Sequence, residues 1–153
     1  AAIESAFLGV PSIAVSLYLK NRDRIFWDRA AELARITINH ILATRPLTPH
    51  EVLNINIPPI ESPDAPMPPI RVVGMNAAPL REGFERRISP AGQIYYWSSS
   101  EGMQFTATTA GSDVDLIRAG NITVTPLSYV MTDADRVQEW RESLEPITAD
   151  HSA

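Results

Sequence analysis

Gly111-Ser112-Asp113-Val114-Asp115-Leu116-Ile117-Arg118-Ala119-Gly120-Asn121-Ile122-Thr123-Val124-Thr125-Pro126-Leu127 is the stretch that decides the fold. Gly111 and Gly120 punctuate it. Between them, Ser112 and Asp115 have the spacing of a helix capping box, with Asp where Glu or Gln is usual. That spacing predicts a helix of one to two turns. After Gly120 the run Ile122-Thr123-Val124-Thr125 is β-branched throughout and predicts a strand. Pro126 has no amide hydrogen for a ladder and is expected to end it.

The N-terminal side repeats this alternation of helix and strand. Ala1 to Leu8 reads as the end of a helix, with Ile3, Ala6 and Phe7 on one face. Gly9 fits the position after a helix C-cap, and Pro11 follows as it does after a helix stop. Ile13-Ala14-Val15-Ser16-Leu17 is a nearly all-apolar strand, the kind that suits a sheet covered on both faces. Lys20 to Arg24 is a charged loop. From Ile25 to about Ala43 the periodicity is helical, with Phe26, Ala30, Leu33, Thr37 and Ile41 in one stripe, widened by Ala34, Ile38 and Leu42. Arg29, Glu32, Arg35 and Asn39 are assigned to the opposite, solvated side. Val52-Leu53-Asn54-Ile55-Asn56-Ile57 alternates with period two. The fold class is therefore α/β.

Pro58 to Pro69 holds six prolines in twelve residues and reads as an extended loop. Ile70 to Met75 resumes strand character. Phe84 to Ile88 and Gln93 to Trp97 form the arms of a hairpin around Ser89-Pro90-Ala91-Gly92, with Pro early and Gly late in the turn. Three adjacent aromatics, Tyr95, Tyr96 and Trp97, make the second arm bulky on both faces. A two-stranded ribbon is marginal alone, so this hairpin is an oligomerisation candidate. Ser98 to Ala110 is small and polar and reads as a loop. Thr132 is the expected N-cap of a last helix with Val137, Trp140 and Leu144 as its apolar stripe, which predicts docking on another surface. The organisation expected is 1–57, 58–110 and 111–153.

Composition limits the function classes. The chain has 153 residues and a formal net charge of −5, from 13 basic and 18 acidic residues. No basic stripe of the kind that binds a nucleic-acid polymer is present. Cysteine is absent, which removes disulfides, thiolate zinc sites and thiol nucleophiles. No apolar run approaches membrane-span length. His40, His50 and His151 are scattered, without metal-ligand spacing. Phosphate-cradling glycine motifs and the Gly-x-Ser-x-Gly elbow are missing. Asn54 and Asn56 share a strand face and read either as ligands or as partners of neighbouring loop backbone. Asp113 reads either as a helix-capping, loop-fixing group or as a residue facing a cleft.

The ordered motifs resemble one family. Ala1 to Leu17 is similar to A-A-x-E-G-x-x-L-G-x-P-A-x-A-x-S, and Leu53 to Pro58 to L-N-I-N-x-P. Ser89 to Trp97 is similar to D-P-R-G-x-x-Y-Y-W, and Gly111 to Leu127 to G-T-D-x-x-A-x-x-x-G-Y-x-S-x-T-P-L. No one of these is specific. Four in order, at these separations, identify the chain as resembling the SurE family of metal-dependent 5′/3′-nucleotidases, over its C-terminal three-fifths.

That resemblance implies the C-terminal part of a Rossmann-like three-layer αβα core, a projecting β-hairpin used in oligomer contacts and a C-terminal docking helix that subunits can exchange. It implies a cytoplasmic homodimer or homotetramer that hydrolyses nucleoside monophosphates with a divalent cation, Mg or Mn, and that binds neither membranes nor nucleic-acid polymers. The family's metal ligands are an Asp-Asp pair, a Ser and an Asn expected upstream of Ala1. This chain is thus expected to be a fragment with no metal ligand and no catalytic residue of its own, inactive alone. Ser112 and Asp113 remain its candidate cleft-lining or loop-fixing residues. The alternative is a non-catalytic SurE-like binding or assembly module. Ser112 stands for the usual Thr, Ser89 for the usual Asp, and Ser128, Val130 and Thr132 for H-x-D-x-T, which puts the subunit exchange in question.

Overall fold

A computed structural model of the chain describes residues 1–20, 24–78, 80–81, 83–98, 104–105 and 107–149. Four strands form the main sheet: β1 (Ser12–Leu17), β2 (Val52–Ile57), β3 (Ile70–Val72) and β8 (Ile122–Leu127), in the order β1-β2-β8-β3. β1 and β2 are parallel, β2 and β8 antiparallel, and β3 and β8 parallel. Two ribbons stand outside this sheet. One pairs β4 (Leu80–Arg81) with β7 (Gln104–Phe105), and the other pairs β5 (Phe84–Ile88) with β6 (Ile94–Ser98). The helices are α1 (Ala2–Phe7), α2 (Trp27–Thr44), α3 (Asp113–Arg118) and α4 (Ala134–Ala149).

The core follows from period two in the strands and 3.6 in α2. Leu53, Ile55 and Ile57 of β2 and Ile122 and Val124 of β8 point to one face, where Leu33 of α2 closes the buried cluster. The opposite face carries Ser12, Ser16, Asn54, Asn56, Thr123 and Thr125. α1 lies against it through Ser12, whose hydroxyl donates to the Ala2 carbonyl at 2.7 Å. Thr123 and Thr125 are buried there, and α3 packs along β8. Helices on both faces of the sheet make the three-layer α/β arrangement expected from the sequence.

The local signals resolve as hydrogen bonds. After α1, Gly9 N–H donates to the Ala6 carbonyl and Val10 N–H to the Ser5 carbonyl, both at 2.9 Å. This is a Schellman closure, with Gly9 at φ 83°. The hairpin turn runs from Ser89 to Gly92, closed by Gly92 N–H on the Ser89 carbonyl at 2.9 Å.

Several expectations are corrected. β8 does not stop before Pro126 but runs through it to Leu127. Ile122 N–H donates to the Pro69 carbonyl, and the Val124 carbonyl accepts from Val73 N–H. Even-numbered residues of β8 therefore turn their backbone toward β3. β3 ends at Val72, opposite Val124, so the missing amide hydrogen of Pro126 falls where no ladder partner exists. β1 is an edge strand with Val15 and Ser16 exposed, not a strand covered on both faces in this chain. The region read as a loop after Ser98 contains β7; residues 99–103 and 106 of that loop lie outside the described residues, as do 21–23 of the charged loop and 150–153 of the tail. The cap of α4 is Asp133, not Thr132: Asp133 Oδ1 accepts from Arg136 N–H at 3.1 Å.

Candidate functional site

β1 and β2 end side by side. Chain leaving β1 passes through Tyr18, Leu19 and Lys20, and chain leaving β2 passes through Pro58, Pro59, Ile60 and Glu61. Arg24, Ile25 and Phe26 lead into α2. Together these segments enclose a cavity of about 260 Å³ lined by Leu17, Tyr18, Lys20, Arg24, Phe26, Ile60 and Glu61, among others. It opens at the carboxyl ends of two adjacent parallel strands, the place where open α/β sheets hold ligands. The Arg24 guanidinium lies over the Phe26 ring, 5.0 Å from its centre, a cation–π contact. Tyr18 continues the ladder by donating its N–H to the Ile57 carbonyl at 2.9 Å.

Beside the cavity the sheet carries a polar ladder. Ser16 Oγ donates to Asn56 Oδ1 at 2.6 Å, and Asn56 Nδ2 donates to Thr123 Oγ1 at 3.4 Å. The three residues sit on β1, β2 and β8 at paired positions. Asn56 therefore bonds side chains on neighbouring strands, not loop backbone. On the same face Thr125 is buried, and its hydroxyl has no hydrogen-bond partner.

Ser112 and Asp113 lie toward the other end of the sheet, where β1 and β2 begin. Ser112 is buried and caps α3, accepting from Asp115 N–H at 3.4 Å. Asp115 Oδ2 accepts from Gly111 N–H at 2.8 Å, one residue before the position a capping box normally serves. Asp113 Oδ1 accepts from Val114 N–H at 2.8 Å and from Asn76 N–H at 2.7 Å, and Asp113 N–H donates to the Gly74 carbonyl. Asn76 Oδ1 accepts from Thr109 N–H at 2.8 Å, while its Nδ2 is buried without a partner. These bonds join α3 to the loop after β3. Neither Ser112 nor Asp113 lines the cavity.

Three groups escaped the sequence reading. Arg29, assigned to the solvated side of α2, donates Nε to the Ala65 carbonyl at 2.9 Å and ties the proline-rich loop to the helix. His50, at φ 69°, places Nδ1 2.9 Å from the Ala6 carbonyl and 2.7 Å from the Tyr129 hydroxyl. Tyr129 also meets the Phe7 ring edge-on at 5.6 Å. Glu51 has its carboxyl held below its ordinary value, first by the hydrogen bond from Thr48 N–H and then by the Arg45 guanidinium. In the sequence Arg45 stands six residues before Glu51 and His50 follows Pro49, whereas the partners of Arg29 and His50 are distant.

Among the described residues no group of three or more His, Asp or Glu side chains could hold a metal ion. The described residues do not fit the divalent cation that the resemblance implies. Among the described residues, too, no helix is long and apolar enough to cross a membrane.

A model of the family described as Survival protein SurE matches residues 1–82. The 5′-nucleotidase SurE of Heliobacterium modesticaldum is 34% identical over 139 residues, covering 91% of this chain and 49% of that protein. The 5′-nucleotidase SurE of Rhodopirellula baltica is 34% identical over 147 residues, covering 93% and 54%. The crystal structure of SurE protein from Aquifex aeolicus is similar with a TM-score of 0.69 at 26% identity, covering 92% of this chain and 54% of that one. The chain thus spans about half the length of the curated relatives it matches.

Proposed function

The chain belongs to the SurE family, and on that premise we propose that it is part of a 5′-nucleotidase that removes phosphate from nucleoside monophosphates with a divalent cation, Mg or Mn. The match over residues 1–82, together with two relatives both named 5′-nucleotidase SurE, is the observation that carries this reading. Bound in the whole protein, such a cation would supply Lewis-acid polarisation of the phosphate and a more acidic water. Its carboxylate and amide ligands are assigned to the part of the protein outside this chain. The 153-residue chain alone is therefore inactive. It contributes sheet, cleft loops and subunit contacts, with Ser112 and Asp113 fixing the loop after β3.

The protein works as a cytoplasmic homodimer or homotetramer. Two exposed apolar elements support assembly. The hairpin of β5 and β6 exposes Phe84, Ile88, Ile94, Tyr96 and Trp97, and α4 exposes Val137, Trp140 and Leu144. The functional division is 1–57 as core, 58–110 as proline-rich loop and oligomerisation hairpin, and 111–153 as return strand and docking helix. A non-catalytic SurE-like binding or assembly module is the second reading, supported by the exposed apolar faces of the hairpin and α4. Phosphate release from a nucleoside monophosphate by the whole protein, with and without Mg²⁺ or Mn²⁺, separates the two.

A further inference from the structure

We infer that the segment after β8 is a hinged arm latched to the core through Tyr129 and His50, and that this latch fixes where α4 leaves the sheet. The first observation is backbone strain. His50 stands at φ 69°, and among the described residues it is the one non-glycine residue in the left-handed region. That conformation is uncommon for a side chain with a Cβ, and it persists where the surroundings over-determine it. Here they do. Glu51 N–H donates to the Thr48 carbonyl at 3.1 Å, and Glu51 Oε2 accepts from Thr48 N–H at 3.0 Å. The Glu51 carbonyl accepts from Ser12 N–H at 2.9 Å. The turn that carries His50 is thus braced to β1 and across itself.

That backbone places the ring between two elements. His50 Nδ1 lies 2.9 Å from the Ala6 carbonyl and 2.7 Å from the Tyr129 hydroxyl oxygen. A carbonyl only accepts, so the proton is on Nδ1 and the two oxygens share it. The Ala6 carbonyl also accepts from Gly9 N–H, so its second lone pair is used as well. Ring contacts add to the hydrogen bond. The Tyr129 ring centre is 5.8 Å from that of His50 and 5.6 Å from that of Phe7, which it meets edge-on. Tyr129 is partly buried, whereas Ser128, Val130 and Met131 around it are exposed. Residues 128–133 have no regular secondary structure, and Val130 N–H turns back onto Ser128 Oγ. Among the described residues, Tyr129 makes this segment's only hydrogen bond to anything before β8. α4 follows, with Val137, Trp140 and Leu144 exposed. One side-chain contact therefore sets the course of a 16-residue helix. The latch is independent of the nucleotidase reading, which uses neither residue.

The test is a distance measurement between α2 and α4 in the whole protein. These 153 residues contain no cysteine. Asn39→Cys on α2 and Glu139→Cys on α4, both exposed, take spin labels once any cysteine elsewhere in the protein is replaced by serine. Dilution into unlabelled protein restricts the dipolar signal to pairs within one chain. The parent is expected to give one narrow distance. Tyr129→Ala is expected to spread it into a broad distribution. Tyr129→Phe keeps the ring against Phe7 but loses the hydroxyl, and is expected to give an intermediate width. His50→Gly removes the imidazole and relaxes the left-handed backbone, so the turn stays folded. It is expected to broaden the distance, and adding Tyr129→Phe to it is expected to change nothing more. A parent distribution that is already broad, or variants that keep the parent's narrow distance, overturn the latch. Broadening confined to variants that also melt earlier assigns both residues to core stability and equally overturns it.

Discussion

Asn56 joins β1 to β8 through its one amide: its Oδ1 accepts from Ser16 and its Nδ2 donates to Thr123, which is fully buried. Removing the amide leaves the Thr123 hydroxyl buried without a partner. Asn56→Ala is expected to cost about 1–3 kcal/mol, the desolvation of one orphaned group. Adding Thr123→Val removes that orphan and should return part of the loss. Urea denaturation of the single and double variants reads both effects. Equal additive losses would show that the ladder contributes nothing.

Glu51 ties stability to pH. Its folded-state pKa lies below its ordinary value of 4.5, because Thr48 N–H and Arg45 favour the carboxylate. The folded state therefore binds fewer protons than the unfolded chain. The stabilisation is full above the unfolded value and is lost as pH falls through the folded one. Glu51→Gln should be less stable than the parent at pH 7, with the gap closing below pH 4.5. Melting curves at both pH values decide it; a gap independent of pH would assign the effect to packing.

Gly9 closes α1 in the left-handed region at φ 83°. A Cβ built there meets only His50 Cε1 at 3.7 Å and Nε2 at 3.9 Å, ordinary contact distances. The cost of Gly9→Ala is thus conformational, about 1–2 kcal/mol. Gly9→Asn should cost less, since Asn tolerates this region better. Chemical denaturation of the pair distinguishes this from a steric clash, which would make Asn the worse substitution.

Trp140 is 61% exposed in the single chain. The loss of several kcal/mol expected for truncating a buried Trp does not apply to it here. Trp140→Ser should leave the stability of the isolated chain within about 0.5 kcal/mol. If α4 docks on a second subunit, the same change shifts sedimentation toward the smaller species. An unchanged assembly would remove α4 from the interface.

What was legible in the sequence was local. Gly9 after an apolar helix face, the alternation from Val52 to Ile57, and Ser89-Pro90-Ala91-Gly92 between two β-rich arms each encode their hydrogen bonds within a few residues. Pro126 misled because its effect depends on which neighbour ends first, and β3 ends at Val72, far away in sequence. Arg29 was placed on the solvated face because its partner, the Ala65 carbonyl, belongs to a loop with no periodicity. The His50–Tyr129 contact spans 79 positions, and nothing near either residue announces the other. The cavity was hidden for the same reason: it is assembled from the ends of β1 and β2 and the entry to α2, each unremarkable alone. Family resemblance made up for this at the level of fold, but not at the level of individual residues.

Phosphate release from AMP by the whole protein, assayed with Mn²⁺ or Mg²⁺ and again in EDTA, beside the 153-residue chain, decides whether this is a nucleotidase. Release is expected from the whole protein with metal, none in EDTA, and none from the chain alone under any condition. An intact, correctly assembled whole protein that releases no phosphate with either metal would contradict it and leave the assembly-module reading.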